Sequence, residues 1–208
     1  MADISVLDYG AGNVNSVIRM IERAGGQARR ISSPEEVSES AKLILPGVGA
    51  FDYGMSQLHA RGLVPALTTI ALEKSIPVLG ICLGMQLMCT GSEEGTLPGL
   101  GWIDAHVRRF SFADNSRLRV PHMGWNTVQV PRTNPLLATD EGEQRFYFVH
   151  SYFVSCNDPG DPIATANYGG KFVAAFQRNN LSGVQFHPEK SHRFGLRLMN
   201  AFVGDEHA

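Results

Sequence analysis

Through its first hundred residues the chain alternates short apolar runs with helical patterns. Residues 4–7 precede Val14, Val17, Ile18 and Ile21 at helical spacing, 43–45 precede Leu63, Leu67 and Ile70, and a third run follows at 78–81. A short all-apolar run suits a strand buried on both faces, and apolar residues three and four apart form one helical stripe. The rhythm therefore predicts βαβ units and a parallel sheet covered on both sides. From 105 to 185 the pattern changes: β-rich stretches at 127–130, 146–153, 173–176 and 181–186, punctuated by Pro and Gly, predict antiparallel strands added to the same sheet. Phe194, Leu198, Met199 and Phe202 predict a closing helix, and the polar stretches 112–118 and 134–143 are expected to be surface loops. The expected fold class is α/β: doubly wound, with a mostly parallel central sheet, helices on both faces and an added antiparallel β section. With 208 residues and 43% apolar content, one domain over 1–208 can bury a substantial core.

Lysine and arginine total 18 against 20 aspartate and glutamate, a formal charge of −2. No basic surplus draws the chain to nucleic acid or anionic lipid, so neither is an expected partner. Asp3 and Asp8 interrupt the first apolar stretch, and no apolar run approaches membrane-spanning length, so a cytoplasmic protein without signal peptide or membrane span is expected. The three cysteines, Cys82, Cys89 and Cys156, lack the spacing of a disulfide framework, which suits a reducing compartment. CxxC, HExxH and HxH patterns do not occur, and no metal or other cofactor is expected.

The sharpest local feature is Gly80-Ile81-Cys82-Leu83-Gly84-Met85-Gln86, where an apolar run stops at Gly80 and a helical pattern takes over two residues after Cys82. A nucleophile on a tight strand-to-helix turn needs small neighbours, because the strained backbone must be approached closely. The helix start would favour a thiolate and leave the Leu83 N–H facing a developing oxyanion. A base for that thiol is available in Gly183-Val184-Gln185-Phe186-His187-Pro188-Glu189, where a strand ends in a histidine with a carboxylate two residues on. That spacing lets Glu189 accept from one imidazole nitrogen while the other faces the sulfur, a Cys-His-Glu triad. Taken singly, Cys82 reads as a small buried hydrophobe, His187 as a strand-end histidine and Glu189 as a solvated turn residue. Their joint presence favours chemistry.

With the G-x-C-x-G elbow and the later strand-borne H-P-E, the sequence resembles the class I, or triad, glutamine amidotransferases over essentially its whole length. The resemblance implies a flavodoxin-like α/β fold and hydrolysis of L-glutamine through a γ-glutamyl thioester on Cys82, with the ammonia passed onward. Four further blocks, 8–13 (DYGAGN), 45–51 (LPGVGAF), 121–126 (PHMGWN) and 147–152 (YFVHSY), are similar to those of the glutaminase subunits of imidazole glycerol phosphate synthases. This finer resemblance implies a heterodimer in histidine biosynthesis, its ammonia reaching a separate (β/α)8 cyclase subunit that makes imidazole glycerol phosphate and an aminoimidazole carboxamide ribonucleotide.

The loop 46–49 can turn backbone N–H groups toward a substrate carbonyl, so Val48 or Gly49 could complete the oxyanion hole begun by Leu83; an ordinary βα turn is equally compatible. Family resemblance implies that Gly47 and Val48 reorganise when the partner's ligand binds. It also implies glutamine contacts from Gly47, Gln86, Glu94, Ser151 and Tyr152, and a partner interface at Asn13, Asn15, Met123, Trp125, Asn126 and Tyr147. His150 is expected to be structural, and Cys89 and Cys156 to be packing residues. One departure is visible: His192 stands where the family usually has glutamine. A free-standing cysteine hydrolase, a non-catalytic module on the same fold, and triad glutaminases serving guanylate, anthranilate or pyridoxal phosphate synthesis remain as alternatives.

Overall fold

In the computed structural model, which describes residues 4–113, 117–131, 133–137 and 142–204, apolar runs become strands and stripes become helices in the predicted alternation. The first half contains β1 (Ile4–Leu7), α1 (Val14–Arg23), β2 (Ala28–Ile31), α2 (Pro34–Ser38), β3 (Lys42–Gly47) and α3 (Phe51–Ala60). It continues with α4 (Leu63–Thr68), a π turn at Thr69–Glu73, β4 (Val78–Cys82) and α5 (Leu83–Leu87). The second half is β-rich: β5 (Gly91–Ser92), β6 (Ala105–Arg109), β7 (His122–Val128), β8 (Gln144–His150), β9 (Tyr152–Cys156), β10 (Pro162–Asn167), β11 (Lys171–Arg178) and β12 (Leu181–Val184). A 3-10 turn at Pro188–Lys190 leads into the closing helix α6 (His192–Gly204).

Strands β2, β1, β3, β4 and β12 lie side by side and parallel. The sheet continues antiparallel through β11, β9 and β6, with β5 at the edge and β10 paired to β11. Alternation along the strands divides the core between the two faces. Ile4, Val6 and Ile44 pack with Val17 and Ile21 of α1 and Leu198 and Met199 of α6. Leu7, Leu43 and Leu45 pack with Phe51, Met55 and Leu58 of α3, Leu67 of α4 and Met85 of α5. Period-two strands buried on both sides require this arrangement.

Several sequence expectations change. The ribbon β7–β8 is a separate two-stranded sheet, not an extension of the main one, and β7 begins at His122, before the expected 127–130. Residues 146–153 divide between β8 and β9 at Ser151, where the His150 side chain turns back onto the Tyr152 carbonyl. Within 134–143, Leu136 and Leu137 are buried, their N–H groups capped by Asn134 Oδ1 at 3.0 and 2.8 Å; residues 138–141 lie outside the described residues. Residues 112, 113, 117 and 118 form no helix or strand, and 114–116 lie outside the described residues. Helix α2 went unread because one and a half turns cannot show a stripe; a capping box between Ser33 and Glu36 starts it.

The parallel strands end on a common edge. There the chain leaves β1 at Asp8, β3 at Gly47, β4 at Cys82 and β12 just before Gln185 and His187, the carboxyl edge where open α/β sheets bind ligands.

Candidate active site

Cys82 is the last residue of β4 and the cap of α5, which begins at once with Leu83, one residue earlier than the pattern suggested. Its φ of 52° lies in the left-handed region, a conformation that costs a non-glycine residue energy and survives only where the surroundings enforce it. The enforcing contacts are close. A Cβ at Gly84 would overlap the Leu45 carbonyl oxygen, and one at Gly80 would stand 2.7 Å from the Met85 nitrogen. Gly47, paired with Cys82 across β3 and β4, leaves no more room: a Cβ would meet Gly84 N and Tyr9 Oη at 2.7 Å. Helix α5 therefore rests directly on strand backbone, with the cysteine turned out at the edge.

β12 neighbours β4, so His187 comes beside Cys82 although the two are distant in sequence. His187 Nδ1 bonds Glu189 Oε1 at 2.8 Å, and the two side chains are only 1% and 4% exposed. Nε2 is buried and makes no regular hydrogen bond among the described residues, but it lies close enough to the Cys82 sulfur to interact with it. Burial alone would pull the imidazole pKa down; interaction with the Cys82 thiol and the hydrogen bond and charge of Glu189 outweigh it and hold the group up at about 10. The imidazolium form is thus strongly favoured. The turn is braced from β8: His187 N donates to Tyr147 O at 2.9 Å. Ser191 Oγ donates to His187 O at 2.6 Å and accepts from Tyr147 N at 3.0 Å.

Gln185, which no sequence motif singled out, reaches the same sulfur, its Nε2 donating to Cys82 Sγ at 3.7 Å. Strand periodicity was the available signal, because residues 185 and 187 project to one side.

Beside the elbow, Gly49, Gln86, Glu94, Pro121, Val149, His150, Ser151 and Tyr152 line a cleft of about 240 Å³. The predicted Gln86, Glu94, Ser151 and Tyr152 are therefore brought together, with Gly49. Glu94 Oε2 accepts from Phe51 N at 2.9 Å, tying the cleft wall to the first residue of α3, directly after the 47–50 loop. Asp52 returns the tie, accepting from Thr96 N at 2.9 Å and Leu97 N at 3.0 Å. Within the loop Gly47 is buried, Val48 is 44% exposed and Gly49 takes φ +110°. Larger clefts of about 330 and 310 Å³ surround Asn180 and Ala201; the first lies at the amino end of β4, away from Cys82.

Above the cleft runs a chain of polar groups whose directions are fixed by its first link. The Tyr152 carbonyl can only accept, so His150 Nδ1 donates to it at 2.7 Å. His150 Nε2 then accepts from His122 Nδ1 at 3.0 Å, and His122 Nε2 accepts from Asn126 Nδ2 at 3.3 Å. Burial pushes His122 down to about 4 and, against the Tyr152 bond, His150 down to about 3, so both stay neutral around pH 7. His150 thus ties the end of β8 to the Tyr152 carbonyl while lining the cleft. Burial likewise raises the thiols of Cys89 and Cys156, the latter to about 12, in keeping with packing.

On the ribbon, Met123 and Trp125 are 62% and 40% exposed, opposite Val149 and Tyr147 in the register. His192 stacks on Trp125, ring centroids 5.5 Å apart and planes 6° from parallel, which gives the departure at this position a physical role. Asn126 is half-buried and serves His122 and the Asn167 carbonyl. Asn13 is exposed and caps α1 through Ser16 N; Asn15, also exposed, accepts from Arg30, which pairs with Asp8 at 3.3 Å.

Comparison with known proteins places the chain in a family. The model of the glutamine amidotransferase class-I family matches residues 5–203. The chain is 50% identical to imidazole glycerol phosphate synthase subunit HisH 2 of Pseudomonas aeruginosa, covering 96% of this chain and 98% of that one. It is 46% identical to the HisH 2 subunit of Methanococcus maripaludis and 44% to the HisH subunit of Leptospira interrogans, with the same coverage in each. Among solved structures, PurLQS from Thermotoga maritima superposes with a TM-score of 0.75 at 16% identity, covering 98% of this chain and 99% of that one. A glutamine amidotransferase from the same organism superposes with a TM-score of 0.61 at 18% identity, covering 98% and 83%. At those identities the structures establish the shared fold, while the nearly full-length sequence matches place the branch. With its elbow cysteine, its paired histidine and carboxylate and these relatives, the chain belongs to the class-I glutamine amidotransferases and, within them, to the HisH subunits of imidazole glycerol phosphate synthase.

Proposed function

We propose that this chain, as one glutaminase domain, hydrolyses the side-chain amide of L-glutamine in the cytoplasm and delivers ammonia to a (β/α)8 cyclase subunit. The observation that carries the chemistry is the buried His187–Glu189 pair at 2.8 Å, its imidazole held up at about 10 by the sulfur and carboxylate flanking it. With the proton already on His187 Nε2, the Cys82 sulfur attacks the amide carbon as a thiolate. The oxyanion that forms is met by the Leu83 N–H and by N–H groups of Val48 and Gly49, and its collapse releases ammonia carrying the proton from Nε2. The γ-glutamyl thioester remains. Water, losing a proton to the same nitrogen, then attacks it; glutamate leaves, and the thiolate and imidazolium are restored.

Glutamine sits in the cleft of about 240 Å³. The Glu94 carboxylate takes its ammonium, while Gly47, Gln86, Ser151 and Tyr152 supply contacts to the rest of the substrate. The exposed Met123 and Trp125, with half-buried Tyr147 and Asn126 and with Asn13 and Asn15 near the sheet edge, form the cyclase-facing surface. Through β8 that surface is joined to the backbone of His187. The test is labelling by diazo-oxo-norleucine, a glutamine analogue, with and without a cyclase subunit. Partner-stimulated modification of Cys82 is expected; unmodified Cys82 in the presence of the cyclase would refute the glutaminase.

Two variants extend the test. Glu189→Gln keeps the shape but removes the charge, so the His187 pKa falls. A group with a raised folded pKa is protonated below that value and loses its proton as pH rises through it. The proton for departing ammonia is then lost at lower pH than in the native chain, and the alkaline decline of kcat/KM shifts down, with activity at pH 8 reduced about 10- to 100-fold. An unmoved alkaline limb would count against the pair. Trp125→Ala is expected to weaken cyclase binding about tenfold or more, as loss of a central aromatic does. Titration calorimetry giving an unchanged Kd would remove the ribbon from the interface.

A further inference from the structure

The nucleophile has a second polar neighbour besides its base. Gln185 is fully buried between β12 and His187, where a primary amide is costly unless its groups are paired. Which way that amide faces follows from its partners. Gln86 Nε2 lies 3.2 Å from the Tyr152 carbonyl oxygen, which can only accept, so the Gln86 atom there is the nitrogen. The same Nε2 is 3.0 Å from Gln185 Oε1, which must therefore be the oxygen. By elimination the other end of the Gln185 amide is Nε2, the N–H donor that points at Cys82 Sγ, 3.7 Å away.

We propose that Gln185 is a positioning residue for the Cys82 sulfur, holding it by an N–H bond that Gln86 orients, and so joins the nucleophile to the wall of the glutamine cleft. The proposal rests on Cys82 being the nucleophile, as argued above. A neutral thiol is a weak acceptor, whereas a thiolate is a charged one, so the bond strengthens when the sulfur ionises and favours that form. It also fixes direction: with the imidazole on one side and the amide on the other, the sulfur is confined between side chains from residues 185 and 187 of one strand end. The far end of the linkage is the Tyr152 carbonyl, which accepts from Gln86 and from His150 Nδ1, at 2.7 Å. Ser151 and Tyr152 line the cleft, so glutamine seated there touches the backbone that sets the Gln86–Gln185 amide pair.

The test is the pH dependence of Cys82 alkylation by iodoacetamide in the full-length chain, read at that residue by mass spectrometry, together with kcat and KM for glutamine in the complex with the cyclase. Gln185→Leu keeps the bulk and removes the donor; Gln185→Glu keeps the shape and replaces the donor with an acceptor. Alkylation at pH 7 is expected to slow about tenfold in Gln185→Leu and further in Gln185→Glu, with the rate profile displaced to higher pH and the loss falling on kcat rather than KM. A residue that only filled space would lower the melting temperature and leave the profile in place. Should either substitution prevent folding, Gln86→Leu leaves Gln185 present but frees its amide to rotate, and a smaller displacement in the same direction is expected. Profiles superimposable on the native one would overturn the proposal. Because alkylation reads the sulfur alone, failure to hydrolyse glutamine would count against the function proposed above, while the profiles would still decide the role of Gln185.

Discussion

Replacing Cys82 with serine is expected to lower kcat/KM for glutamine by about 1,000-fold or more and to abolish modification by diazo-oxo-norleucine. The hydroxyl is nearly the size of the thiol, so the buried position and the backbone at φ 52° can be kept. What is lost is the acidity and nucleophilicity of a thiol, which a hydroxyl does not share. His187, held up at about 10 with a sulfur on one side and Glu189 on the other, stays protonated at neutral pH. Serine at neutral pH requires a neutral imidazole able to take its proton, which is the opposite demand. The melting temperature should stay within a few degrees of the native value, separating chemistry from folding. Activity retained to within tenfold, with cyclase present, would mean that another group attacks the amide.

Gly84→Ala is expected to cost about 3 kcal/mol or more and to lower the melting temperature by roughly 6–12 °C, by the mechanism of overpacking against backbone. The added methyl would overlap the Leu45 carbonyl oxygen, and neither partner is a flexible side chain: one belongs to β3, the other to α5. Relief requires lifting the helix from the sheet, which also draws Cys82 away from His187, so activity should fall with stability. Gly170→Ala is the control. It has no atom within 4 Å of an added Cβ and should change stability by no more than about 0.5 kcal/mol. A Gly84→Ala chain that melted with the control would show that the helix has freedom the close contact denies it.

The features readable from the chain alone were those whose evidence is local. The strand–Cys82–helix turn is written in adjacent residues, because the glycines that permit the close approach flank the cysteine they serve. His187 and Glu189 are two residues apart, so their hydrogen bond follows from the turn between them. The helical stripes of α1 and α6 and the apolar strands of the parallel sheet were legible for the same reason. Helix α3 was not read: Gly54 interrupts its stripe, where an added Cβ would come 3.1 Å from Leu87.

Contacts between distant segments were not readable. That Gln185 meets Cys82 depends on β12 entering the sheet beside β4, and that Glu94 holds the start of α3 depends on how the chain after α5 folds back. The ribbon β7–β8 has strand-like sequence whichever sheet it joins; burial of Phe146 and Phe148 against Phe186 draws one face inward and leaves Met123 and Trp125 outside. His192 illustrates the division: the chain revealed an unusual residue, and only the packing revealed the Trp125 ring against it. By itself the sequence determined the alternating α/β architecture and singled out Cys82, His187 and Glu189, since periodicity and short-range geometry act within a few residues. The tertiary structure alone decided which side chains surround that sulfur, which groups share the cleft and which apolar surface stays uncovered, since these depend on pairings between segments that no local pattern encodes.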